Sequence, residues 1–260
     1  MHFQTIQYAE SQGIATITLN RADKRNALSY ELIDDILAGF DHAARSTVQA
    51  VILTGAGAAF CAGMDLENLK QLTGRTNKQN LQDSKTIARL FRTIYDFPKP
   101  TIAAVNGAAI AGGTGLVTVC DFALAVPEAK FGYTEVRIGF MPAVVSSFLL
   151  AIVGEKRARD LLLTGRIFGA EEARALGLVN DLVPPGELMD RARALALQLQ
   201  ENSPASMRAT KALLSGYTRE RLDRQIEQAV IENAAIRQTG DFQEGISSFL
   251  EKRKPVWKGN

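Results

Sequence analysis

Glu135 is a carboxylate in apolar company. It sits in Phe131-Gly132-Tyr133-Thr134-Glu135-Val136-Arg137-Ile138-Gly139, between small residues and an aromatic. Two glycine-bearing turns precede it, Phe60-Cys61-Ala62-Gly63-Met64-Asp65 and the run from Asn106 to Gly115. A helix that begins near Gly112 leaves its first N–H groups without intrahelical acceptors and turns the positive end of its dipole outward. The Gly63-Met64 turn can offer a second N–H. Two such donors aimed at one oxygen form an oxyanion hole, and loss of one donor costs about 3–4 kcal/mol of transition-state stabilisation. A carboxylate facing such donors suits proton transfer beside an anion that the backbone stabilises. Two plainer readings stand beside this one. Glu135 can form a structural ion pair with Arg137, and the glycines can serve only tight turns and close packing.

The elements that must hold these residues alternate. Residues 13–19 alternate apolar and polar, as a half-buried strand does. Ser29 is a candidate N-cap for a helix with Leu32, Ile33, Ile36, Leu37 and Phe40 on one face. Residues 50–53, 101–105 and 122–126 are short apolar runs, the pattern of strands buried on both faces. A polar region, 71–83, leads into a helix carrying Ile87, Leu90, Phe91 and Ile94, which Phe97-Pro98-Lys99-Pro100 ends. A further helix is expected from Gly112 or Gly113 to Val119. After Pro142 the pattern turns helical, with helices expected over 144–153, 155–163, 170–176, 187–201, 204–217, 219–238 and 241–253, and a short strand over 178–182. The fold class is α/β. No flexible linker divides the chain. The alanine-rich faces and the late amphipathic helix suit packing on a neighbouring subunit or within the chain.

Composition narrows the function. The chain has 260 residues, of which 46% are hydrophobic and 22% charged, with a formal net charge of +2. So even a balance points to neither nucleic acid nor a membrane surface as partner. The two cysteines, Cys61 and Cys120, form no Cys-x-x-Cys pair and read as reduced thiols of a reducing compartment. The two histidines, His2 and His42, are too few and too scattered for a His-based metal site, so no metal is expected. The first residues show no signal-peptide pattern, and the expected location is cytoplasmic. Residues 101–120 carry no charge and approach the length of a membrane span, but Asn106 and four glycines favour strand, turn and buried helix.

Several motifs are absent. Gly55-Ala56-Gly57 fails the dinucleotide fingerprint because Phe60 holds the third glycine place. Gly107 and Gly112 have P-loop spacing, but Gly113 stands where the phosphate-binding lysine belongs. There is no Gly-x-Ser-x-Gly elbow.

What is present resembles the enoyl-CoA hydratase/isomerase (crotonase) superfamily. The matching pieces are 20–28 (Asn-Arg-Ala-Asp-Lys-Arg-Asn-Ala-Leu), 60–66, 99–107, Gly112-Gly113, Cys120-Asp121, Phe131-Gly132 with Glu135, and 249–255. They run in family order over almost the whole chain. The resemblance implies a crotonase-like (ClpP/crotonase) spiral of ββα units over 1–195. It also implies a C-terminal helical region, 196–260, that builds trimers, often paired into hexamers. The substrate it implies is an acyl-CoA thioester whose carbonyl oxygen accepts from the Met64 and Gly112 N–H groups. Coenzyme A is then part of the substrate, and no separate cofactor is implied. Lys24, Arg25, Ala27, Ala62, Asp65, Leu66, Gly113, Gly115, Tyr133 and Pro142 fall on the substrate and CoA cleft. Phe249 and Lys252 match a stretch that can reach a neighbour's CoA, although a solvated helix end would also explain those basic residues.

The departures from the family pattern bear on the reaction. Hydratases of the family carry a second glutamate where this chain has Gly115. The hydratase Pro-Gly-Ala-Gly-Gly reads Pro142-Ala143-Val144-Val145-Ser146 here, and Ala143 replaces the aspartate of dienoyl-CoA isomerases. Residues around Glu135 also resemble bacterial 3-methylglutaconyl-CoA hydratases. The expected activity is therefore enoyl-CoA hydratase-type chemistry through an enolate, with Glu135 carrying the proton. Isomerisation of a 3-enoyl-CoA by Glu135 alone is the alternative, and acyl-CoA binding without turnover is the alternative of another class.

Overall fold

The computed structural model describes residues 3–260. Met1 and His2 lie outside them, so the reading of His2 is not placed. The chain alternates between two sheets. The larger joins β1 (Ile6–Ser11), β2 (Ile14–Leu19), β3 (Ala50–Gly55), β5 (Thr101–Val105), β7 (Phe122–Ala125) and β10 (Asp181–Leu182) in that order. β1 and β2 form an antiparallel hairpin, and the remaining pairs are parallel. The smaller joins β4 (Ala59–Cys61), β6 (Ala108–Ile110), β8 (Lys130–Gly132) and β9 (Ile167–Gly169). After β3, β5 and β7 the chain crosses to the smaller sheet and then enters helices before returning. This is a spiral of strand–strand–helix turns, and it sets β4, β6 and β8 side by side with the functional segments at their ends.

Local chemistry explains the principal elements. β3 and β5 are buried nearly throughout, as apolar runs between layers must be. Helix α1 (Tyr30–Arg45) starts where Ser29 accepts from the Leu32 N–H, and it buries Leu32, Ile33, Ile36, Leu37 and Phe40. Helix α2 (Leu66–Leu72) is capped by Asp65. Helix α3 (Asn77–Tyr95) begins inside the segment read as a polar lead-in, because Thr76 and Gln79 form a reciprocal capping box. Helix α4 (Gly112–Val119) is buried along almost all its length. The uncharged run 101–120 is thus divided among β5, β6 and α4. No helix among the described residues is long and apolar enough to cross a membrane.

Helix α5 (Ala143–Thr164) carries non-helical backbone at Gly154, where the sequence suggests a boundary between two helices. α6 (Ala170–Ala175) and α7 (Leu188–Gln200) follow. Two expectations fail afterwards. The helices read as 204–217 and 219–238 form one helix, α8 (Pro204–Ile236). Gly216 and Thr218 are weak helix formers, but each costs only about 1 kcal/mol or less, and α8 packs along α3 and α5. The strand expected over 178–182 shrinks to β10, since the Leu178 N–H turns back to Ala173 O after α6. The last helix, α9 (Gly240–Leu250), packs against α2 and the turn after β8.

Candidate active site

A cleft of about 790 Å³ opens where the ends of β4, β6 and β8 meet α2, α5 and α9. Glu135, Met64 and Gly112 all line it.

The Gly112 donor depends on a backbone constraint. Ala111, the N-cap of α4, holds φ 50° and ψ −119°. Such geometry costs a residue with a Cβ about 1–3 kcal/mol. It is fixed from several sides. The Ala111 N–H donates to Gly132 O at 2.7 Å. Thr114 Oγ1 donates to Ala109 O at 2.6 Å and accepts from the Gly132 N–H at 3.2 Å. The earliest amide of α4 with a backbone acceptor is Gly115, bonded to Ala111 O, so the Gly112 N–H is left without one among the described residues. The Met64 N–H has none either. Its neighbours are pinned instead, with Leu28 N–H donating to Gly63 O at 2.7 Å and Asp65 N–H to Leu28 O at 3.0 Å. Gly63, at φ 89°, lies so close to β6 that a Cβ there would stand 3.0 Å from Ile110 O and 3.1 Å from Ala111 Cβ. The two donor-bearing turns therefore abut.

Glu135 opens a short 3-10 turn, Glu135–Ile138. Its carboxyl makes no ion pair with Arg137, and Oε2 is covered from solvent with no hydrogen-bond partner among the described residues. Burial pushes the carboxyl up to about 7, against a smaller lowering by its own backbone N–H. The turn is held from below and from above. Below it, Tyr133 is fully buried, and its hydroxyl lies 2.7 Å from Thr118 Oγ1, which donates to Thr114 O at 2.7 Å. Above it, α9 packs without clearance. A Cβ on Gly139 would meet Asp241 O at 2.3 Å, and one on Gly245 would meet Ile138 O at 2.2 Å.

Other acids on the cleft wall are differently placed. Asp23 and Glu67 are exposed. Burial alone would raise Asp65, but the Glu67 N–H and Arg21 hold its carboxyl below the usual range. Its Oδ1 accepts that N–H at 2.9 Å, and its Oδ2 faces Arg21 Nη1 at 2.8 Å. Glu135, half-buried as a residue, thus combines a covered, unpartnered carboxyl oxygen with a near-neutral pKa.

Most of the remaining residues from the sequence reading come together on this wall. Lys24, Arg25, Ala27, Ala62, Leu66 and Pro142 line the cleft beside Asp65, and Phe249 lines the cleft of its own chain. Four residues do not line it. Gly113 is a packing position, since a Cβ would lie 2.1 Å from Cys61 O. Gly115 is another, with the Phe91 ring 2.6 Å from a would-be Cβ, so the place of a second acid is filled by an aromatic. Tyr133 supports the Glu135 turn from beneath. Lys252 has φ 55° and lies off the wall, while its neighbour Arg253 lines the cleft, bound to Glu244 at 2.5 Å and to Glu251 at 2.6 Å.

The sequence reading missed Asn26, Phe91, Asn233 and Arg237. Asn26 is fully buried at φ 54°, accepts the Arg21 N–H at 2.9 Å and donates to Ala56 O and Ala59 O, which fixes the loop bearing Lys24 and Arg25. Phe91, Asn233 and Arg237 reach the cleft from α3 and α8, far away in sequence. Polar residues on the buried face of a long helix were the one available signal for the last two.

The enoyl-CoA hydratase/isomerase family model matches residues 9–260. A Thermus thermophilus protein named "Putative enoyl-CoA hydratase" is 47% identical over 247 residues, covering 95% of this chain and 98% of its own length. The crystal structure of an enoyl-CoA hydratase from Mycobacterium avium superposes with a TM-score of 0.86 at 34% identity, covering 98% of this chain and 99% of that one. That of an enoyl-CoA hydratase/isomerase from Pseudoalteromonas atlantica gives 0.87 at 28%, covering 98% and 100%. Match length, spiral topology and the paired amide turns beside a buried acid agree: this chain belongs to the enoyl-CoA hydratase/isomerase (crotonase) family.

Proposed function

We propose that the protein carries out enoyl-CoA hydratase-type chemistry on an acyl-CoA thioester, with Glu135 as its proton carrier. The observation that carries this reading is the unpartnered Glu135 Oε2 beside a cleft that also holds two amides without acceptors among the described residues. The thioester oxygen accepts from the Met64 and Gly112 N–H groups. A water adds to the β-carbon of a 2-enoyl chain while the Glu135 carboxylate takes its proton. Electron density moves onto the thioester oxygen as an enolate, and the Glu135 carboxylic acid returns the proton to the α-carbon. One carboxyl group both accepts and delivers, so no second acid is required. Lys24 and Arg25 at the mouth suit the phosphates of CoA. 3-Methylglutaconyl-CoA is one substrate within this class.

A second reading rests on Phe91. Its ring occupies the place of the second glutamate, which favours a reaction needing no bound water. In that case Glu135 takes a proton from the α-carbon of a 3-enoyl chain and returns it at the γ-carbon. Incubation with 2-enoyl-, 3-enoyl- and 3-methylglutaconyl-CoA, followed by mass spectrometry, separates the two readings: hydration adds the mass of water and isomerisation does not. Turnover of none of them, with CoA thioesters still bound, would leave a binding protein. Both reactions start from the carboxylate, so kcat/KM is expected to rise with pH through a limb near 7.

The C-terminal region, 196–260, is proposed to join copies of the chain into trimers or hexamers. Leu213, Leu214, Tyr217 and Ile231 of α8 are exposed, a run of apolar surface that association would cover. Light scattering on the purified protein is expected to give a trimeric or hexameric mass, and a monomer would remove this part of the reading.

A further inference from the structure

Arg237 heads the fully buried side chains by size, and only 1% of its side chain is exposed. A guanidinium presents five N–H donors and keeps its charge in any protein setting. Here Nη2 donates to Asn233 Oδ1 at 2.6 Å and to Ser84 Oγ at 3.3 Å. Nη1 faces Asp83 Oδ2 at 2.5 Å. The Nε–H has no acceptor among the described residues. Asp83 is shared, because its other oxygen takes Arg75 Nη1 at 3.3 Å and the Tyr30 hydroxyl. Two guanidinium groups therefore answer one carboxylate, leaving one positive charge in excess. Asn80 lies on the same face of α3, three and four residues before Asp83 and Ser84. It is fully buried, and neither amide atom has a partner among the described residues.

Two members of this cluster reach the cleft, while Asn80, Asp83 and Ser84 lie behind them. Arg237 and Asn233 line the cleft together with Glu135 and Phe140. The Arg237 guanidinium stands 5.0 Å over the Phe140 ring, and the Phe140 N–H donates to Glu135 O at 3.1 Å. The cation is thus one aromatic ring from the acid-bearing turn. The apolar side chains of Ile87, Val144 and Val145 complete the nearby wall. Lys24 and Arg25 come from the loop after β2, in a different part of the wall.

We infer that Arg237, with Asn233, reads the far end of the acyl group, and that the cleft takes acyl chains ending in a carboxylate. The inference rests on the reading of the cleft as an acyl-CoA site. The Nε–H is itself covered from solvent, so a terminal carboxylate at this end of the cleft answers the excess charge across a low-dielectric wall rather than through that N–H. An alkyl terminus does not, and it must lie against a buried cation.

Calorimetric binding to the full-length protein tests this without turnover. Succinyl-, glutaryl- and adipyl-CoA are compared with butyryl-, pentanoyl- and hexanoyl-CoA, pair by pair at equal carbon number. At least one dicarboxylic thioester is expected to bind tenfold or more tightly than its alkyl partner. Arg237→Met is expected to bring that ratio close to one, and Arg237→Lys to keep part of it. Equal or weaker binding of all three dicarboxylic thioesters to the unaltered protein overturns the inference, whether or not the variants fold. A preference that persists in Arg237→Met overturns the role of Arg237 and leaves the cluster as a lock between α3 and α8. Glu135→Gln is expected to keep the preference. Absence of crotonyl-CoA turnover, with the preference intact, therefore counts against the catalytic reading alone.

Discussion

Glu135→Gln is expected to lower kcat by about 10²–10⁴-fold, the usual contribution of a positioned acid–base group, while making the folded protein more stable above neutral pH. The two effects share one cause. The amide fills the same space and cannot exchange a proton. The carboxyl, by contrast, carries an electrostatic penalty, because burial raises it from 4.5 to about 7. The sign follows from linkage. Below the unfolded value both states hold the proton, and there is no penalty. As pH rises toward the folded value the unfolded chain ionises first, so stability falls, and the loss is complete above about 7. It amounts to at most about 3 kcal/mol, from a shift of that size at 1.36 kcal/mol per unit. Denaturant titrations of both proteins at pH 4.5 and pH 8 check this. The Gln variant is expected to gain at pH 8 and to match the parent at pH 4.5. Undiminished kcat, or a stability difference independent of pH, would remove Glu135 from the reaction or from its buried setting.

Gly112→Pro is expected to cut kcat by about 10²–10³-fold, the cost of losing one oxyanion donor. Proline is tolerated at the first position of a helix, where the N–H has no intrahelical acceptor in any case. The added Cβ meets the end of the Leu28 side chain at 3.0 Å, a flexible neighbour that can shift by a few tenths of an ångström. The donor is therefore lost. Proline also presses Ala111 away from its φ 50°, ψ −119° geometry, so persistence of the helix start is measured alongside activity. Circular dichroism and the thermal midpoint establish folding, and steady-state kinetics on crotonyl-CoA report the loss. A folded variant that keeps more than a tenth of the parent kcat would show that the Gly112 amide does not hold the developing oxyanion.

The sequence made Glu135 and the two amide turns legible because each depends on local chemistry. A glycine turn, a helix start and an acid amid apolar residues need no knowledge of distant partners. Ser29 marked the start of α1 for the same reason. The strands of the smaller sheet did not stand out. β4, β6, β8 and β9 span three residues each, too few to show a period. The family resemblance places Gly113 and Gly115 at the substrate cleft. Their partners, Cys61 O and the Phe91 ring, are brought in by β4 and α3, and only packing reveals that those two glycines make room for protein. Arg237 was hidden for the opposite reason. A charge within a long helix reads as solvent-facing, and its burial depends on Asp83, Ser84 and Asn233 meeting it across the α3–α8 contact.

The interlocked glycines, Gly139 and Gly245, have a consequence for biosynthesis. Met64, Gly112 and Glu135 leave the ribosome well before α9 is made, yet the turn bearing the acid is braced by that helix, and Phe249 and Arg253 close part of the wall. A partly translated chain, or one clipped by a protease ahead of Gly240, lacks the helix that braces the acid-bearing turn, so that turn gains its support only when the last helix is in place.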